Sequence, residues 1–96
     1  MKGRASLVTL ALLAASMPAR AADAPAGATM CSGCHPRTGS AATSIPVING
    51  RDAAEIVTIM EQFRGGKRPA TVMDRITKGF APDEVQAIAT WLAEQK

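Results

Sequence analysis

Tyrosine is absent from this chain, the aromatics stop at Phe63, Phe80 and Trp91, histidine occurs once and cysteine twice. Each scarcity closes off a class of protein. Two cysteines and one histidine fall short of the four N/S ligands of a structural zinc site. No apolar run approaches the ~20 residues that cross a bilayer. Alternating apolar–polar runs rich in β-branched residues are missing, apart from a brief SIPVI at 44–48 bounded by Asn49-Gly50, so a sheet is not expected. The RGGK at 64–67 lacks the G-x-x-x-x-G-K frame of a phosphate loop.

An excess of one charge is also missing once the N-terminus is set aside. Lys2 and Arg4 precede an apolar run from Ala5 to about Ala15, and Ala19-Arg20-Ala21 fits a small-residue cleavage site. That layout predicts a secretory signal peptide over 1–21, cleaved after Ala21, with no membrane anchor and a periplasmic destination. Removing Lys2, Arg4 and Arg20 from the eleven Lys and Arg leaves eight basic side chains against eight acidic ones. A nucleic-acid partner is therefore not expected, and any electrostatic role is local. The remaining domain, 22–96, is small enough that an apolar core alone is marginal and an additional staple is usual.

What is there reads as helix. In DAAEIVTIMEQFRGG, Asp52 is placed to cap a helix and Glu55 to complete a capping box. Ile56, Ile59, Met60 and Phe63 recur at helical spacing, and Gly65-Gly66 ends the run. In APDEVQAIATWLAEQK, Pro82 suits the first helical position, and Asp83 and Glu84 suit the positive end of the helix dipole. Val85, Ile88, Ala89 and Leu92 form its stripe with Trp91 at the edge, while Ala81 lacks a capping oxygen. A third helix is expected from about Pro25 to Cys34, with Trp91 as its partner. The expectation is an all-α domain of about three helices, with loops at 36–44 and 65–72 long enough to need something to wrap around.

Both cysteines and the histidine fall in MCSGCHPRTG at 30–39. Cys31, Cys34 and His35 spell C-x-x-C-H, the attachment signature of a c-type haem. Two intervening residues set the sulfurs at the separation of the two haem vinyl groups, giving one thioether each, and the adjacent imidazole then meets the iron from the same side. A thioredoxin-type redox pair needs a βαβ context that is missing, and a plain disulfide closing four residues staples little. One covalent haem c also supplies the large apolar centre that the aromatics do not.

The second axial ligand is left among Met30, Met60 and Met73, with Lys67 and Lys78 as remote options. Met30 adjoins Cys31 on the same side of the ring. Met60 lies on an apolar stripe, where gap-filling is the usual role. Met73 follows Pro69 in an aperiodic stretch and is favoured. His/Met ligation leaves no open position and raises the reduction potential, which suits electron transfer. Arg64, Lys67, Arg68, Arg75 and Lys78 surround Met73 in sequence and can form a docking ring for an acidic partner.

From Cys31 to Trp91 the chain resembles the class I monohaem cytochromes c: CSGCH, SIPVING, a middle helix over 52–64, PATVMDRI and DEVQAIATWLAEQ follow that family's order. The resemblance implies axial ligands His35 and Met73, with the Pro46 carbonyl accepting the N–H of the proximal imidazole. A narrower likeness, carried by Phe63-Arg64-Gly65-Gly66 and by Thr71 through Phe80, is to the cytochrome subunit of flavocytochrome c sulfide dehydrogenases. It implies an electron-transfer subunit that takes electrons from an FAD-containing, sulfide-oxidising partner in a heterodimer and passes them to a downstream acceptor. In that reading the sulfur chemistry is the partner's, and this chain is no enzyme by itself. A free soluble carrier between redox complexes, and a haem sensor with a labile sixth ligand, are the alternatives.

Overall fold

The computed structural model describes residues 23–39 and 44–96. The expected signal peptide and the middle of the 36–44 loop lie outside the described residues. Four helical segments follow in order: α1 Ala28–Cys31, α2 Ala53–Arg64, α3 Met73–Thr77 and α4 Pro82–Glu94. The domain is all-α, with no strand among the described residues. None of these helices is long and apolar enough to cross a membrane.

Helix α2 begins where its sequence says it should. The Asp52 carboxylate accepts the Glu55 N–H at 3.0 Å, a cap that contributes about 1 kcal/mol. The Glu55 carboxylate itself lies 3.5 Å from Arg51 Nη1, so it serves an ion pair with Arg51, four residues earlier. At the other end Gly65 donates to the Glu61 carbonyl at 2.9 Å, and Gly66 turns left-handed to leave the helix. Helix α4 starts without a capping side chain at Ala81. Glu84 compensates, its carboxylate accepting the Ala81 N–H at 2.9 Å.

The core is small and lies between α1, α2 and α4. Ala28, Ile56, Ile88, Ala89 and Leu92 form one buried cluster, and Val85 of α4 is buried outside it. Met60 and Val57 pack against that cluster from α2. The stripe expected on α2 divides at this point. Ile56 and Met60 face the core, whereas Ile59 lines a surface cleft with Thr58, Gln62 and Arg68, and Phe63 lies outside the cluster. A helix crossing at an angle covers only part of a neighbour's apolar face.

The N-terminal helix is shorter than expected, one turn over Ala28–Cys31 instead of 25–34. Gly27 sets its start with φ of 85°, a left-handed conformation that costs an L side chain energy. A Cβ there would stand 2.6 Å from Cε1 of Phe80, so the ring lies against bare backbone. Phe80 is thus a close partner of this segment that the periodicity did not indicate. Trp91 borders Asp23 and Pro25, the residues leading into α1, and packs against the same core.

Candidate functional site

Residues 31–35 form a tight turn at the end of α1. The Cys31 carbonyl accepts both the Cys34 N–H at 3.2 Å and the His35 N–H at 2.9 Å, so the backbone keeps helical curvature through the motif. Both cysteines carry free thiols. Cys34 is exposed, while Cys31 is half-buried against the core. Burial pushes the Cys31 thiol up from its ordinary range, outweighing a hydrogen bond from backbone that works the other way.

His35 reaches the 44–51 loop. Its Nδ1 stands 2.7 Å from the Pro46 carbonyl oxygen. A carbonyl only accepts, so Nδ1 carries a proton, and in the neutral ring that tautomer leaves the lone pair on Nε2. The loop that presents this carbonyl is itself held. Arg51 Nε donates to the Val47 carbonyl at 3.1 Å. Gly50, at φ of 75°, donates to the Leu92 carbonyl at 2.9 Å, which ties the loop to the last turn of α4. A side chain on Gly50 would meet the Gln95 carbonyl at 3.2 Å.

Met73 heads α3, the one-turn helix inside what reads from sequence as an irregular connection. The turn forms because Val72 supplies the carbonyl that accepts from Arg75 at 2.9 Å and Ile76 at 3.1 Å. Thr77, wholly buried, donates its hydroxyl to the Asp74 carbonyl at 3.2 Å. Met73 is half-buried and stands outside the core cluster, whereas Met60 packs against it, and Met30 is exposed at the end of α1. Three of the exposed large apolar side chains, Ile45, Val72 and Ile76, sit in the segments that carry Pro46 and Met73.

The five cations at 64–78 divide into two groups. Arg64 donates to the Phe80 carbonyl at 2.6 Å, and Arg68 donates to Gln62 Oε1 at 3.0 Å while lying 5.7 Å from the Phe63 ring centroid. Lys67, Arg75 and Lys78 are exposed and enter no ion pair among the described residues. Among the described residues these three members of the expected docking ring have no side-chain partner, while Arg68, also exposed, keeps its charge beside neutral partners. Arg51, Gln62 and Thr77 are the structural contributors that sequence reasoning passed over; only a residue's position beside a loop end hinted at them.

The donor set fits a covalently held haem. Two free thiols one helical turn apart precede an imidazole whose Nδ1 is committed and whose Nε2 remains able to ligate. Among the described residues no group of three His, Cys, Asp or Glu side chains is placed to chelate a bare ion. A porphyrin brings four nitrogen ligands of its own, so that His35 would need to supply only an axial one.

No family model matches the chain. It is similar to the cytochrome subunit of sulfide dehydrogenase from Chlorobaculum tepidum, at 38% identity over 61 residues. That stretch is 64% of this chain and 56% of the relative, so the chain spans little more than half of the relative's length.

Proposed function

We propose that this chain is an exported monohaem c-type cytochrome, the electron-transfer subunit of a periplasmic complex whose FAD-containing partner oxidises sulfide or another sulfur compound. The observation that carries the reading is the His35–Pro46 hydrogen bond beside the two thiols of C-x-x-C-H. The likeness to a sulfide dehydrogenase cytochrome subunit supports it. Cys31 and Cys34 would hold the haem through thioethers, and His35 Nε2 and Met73 Sδ would ligate its iron. When bound, the haem supplies a one-electron carrier.

The chain's own residues orient and shield that carrier. Pro46 fixes the imidazole plane and raises the basicity of Nε2. Exposed Ile45, Val72 and Ile76 offer apolar cover. Lys67, Arg75 and Lys78 provide a local positive field that steers an acidic partner toward the site. In this reading the partner performs the sulfur chemistry and this subunit only carries electrons away.

The same three unpaired cations favour a second reading, a free periplasmic carrier that docks transiently. Affinity purification from the periplasm separates the two. A subunit brings a stoichiometric FAD protein through a salt wash, whereas a carrier elutes alone. Replacing Met73 with Ala tests the ligand assignment: the long-wavelength absorption band of methionine-ligated ferric haem must disappear.

A further inference from the structure

Both ends of the segment carrying Met73 are fastened to one turn of α2. On the leading side the Gln62 carbonyl accepts the N–H groups of Lys67 at 2.9 Å and Arg68 at 3.3 Å. The Gln62 side-chain oxygen also accepts from Arg68 Nε at 3.0 Å. On the trailing side Arg64 Nη2 donates to the Phe80 carbonyl at 2.6 Å, and its Nε stands 3.6 Å from Glu61 Oε1. Between these anchors, residues 69–79 include Met73 and the buried Thr77, whose hydroxyl bonds back to Asp74.

We infer that the Glu61–Arg64 turn is a clasp that sets how readily the Met73 thioether leaves the iron, with Arg64 as a positioning residue acting through Phe80. The inference rests on the reading of Met73 as a ligand. Sulfur is a weak ligand, and for an external ligand to replace it the segment must swing outward. Holding residues 68 and 80 to one helix turn limits how far the whole segment, and Met73 within it, swings outward. Arg64 is half-buried and its bond to Phe80 is charge-assisted, so it is the stronger anchor. The guanidinium also accounts for a cation that the surface reading would assign to partner docking. Its contacts are internal.

The test uses the exported, haem-loaded protein in the ferric state, with cyanide as the probe that replaces methionine. Association rates are followed by absorbance for the parent, Arg64→Gln, Gln62→Ala, Arg64→Lys and, as a surface control on α2, Thr58→Ala. Arg64→Gln should accelerate cyanide binding about tenfold, the loss expected for one charge-assisted hydrogen bond. Gln62→Ala should accelerate it by a smaller factor, Arg64→Lys should recover part of the parental rate, and Thr58→Ala should leave it unchanged. An Arg64→Gln protein that folds and binds cyanide at the parental rate overturns the clasp. If that variant does not fold, a parental rate in Gln62→Ala overturns it. Met73→Ala is measured alongside: retention of the ferric methionine band there sinks the ligand reading instead, so the two failures are told apart.

Discussion

His35 Nδ1 lies 2.7 Å from the carbonyl oxygen of Pro46, eleven residues along the chain and across a loop tied to α4 through Gly50. This contact commits Nδ1 and leaves Nε2 as the ring nitrogen open to a ligand. In the proposed reading its strength would bear on the iron, because donation from Nδ1–H makes Nε2 a better donor and favours the ferric state. Pro46→Gly loosens the backbone that presents the carbonyl. The reduction potential should then rise by about 40 mV, the one-electron equivalent of losing about 1 kcal/mol of hydrogen bonding, as read by potentiometric titration.

Among the described glycines, Gly27 is the one where an added Cβ would come closest to a neighbour, the Phe80 ring. Gly27→Ala combines a left-handed backbone with a Cβ 2.6 Å from the Phe80 ring, and should cost about 2–4 kcal/mol. Gly39→Ala is the contrast, since none of the described residues lies within 4 Å of its added methyl, and should change stability by less than about 0.5 kcal/mol. Thermal unfolding of the two variants checks both.

The two thiols differ in a way that chemistry can read. In haem-free chain Cys34 is exposed, whereas Cys31 is half-buried and holds its proton more tightly. Iodoacetamide at neutral pH should therefore label Cys34 several-fold faster, by roughly the factor that partial burial and a raised pKa impose together. Peptide mass spectrometry of a time course measures it. Raising the pH increases the Cys31 rate, with the rise displaced to higher pH than that of an ordinary thiol.

The three unpaired cations predict a salt-sensitive encounter. Reversing Lys67, Arg75 and Lys78 to Glu should slow association with an acidic redox partner about tenfold or more at low ionic strength and flatten its salt dependence. Stopped-flow reduction across a salt series reads both effects. Reversal of Lys96, far along the chain at the end of α4, should change little.

Much of this was legible because it is local. Asp52 capping α2, Pro82 opening α4 and the Gly65-Gly66 stop are decided by contacts within a few residues, and they stand as the spacing predicts. The motif is equally local, since Cys31, Cys34 and His35 share one turn. What escaped was set by long-range packing. Helix α3 forms from a stretch without periodicity, because Val72 and the buried Thr77 close a single turn against the neighbouring segments. The N-terminal helix loses its first residues because Gly27 must pass under Phe80, fifty-three residues away in sequence. Arg64 reads as a surface charge, yet it is half-buried and its guanidinium reaches the Phe80 carbonyl and the Glu61 carboxylate.

The central claim is a haem bonded through Cys31 and Cys34, and intact mass spectrometry under denaturing conditions tests it most directly. Protein exported from cells able to mature c-type cytochromes should weigh as much as the processed chain plus one haem, and Cys31→Ala with Cys34→Ala should abolish the increment. A parent protein with the mass of the bare polypeptide would contradict the account.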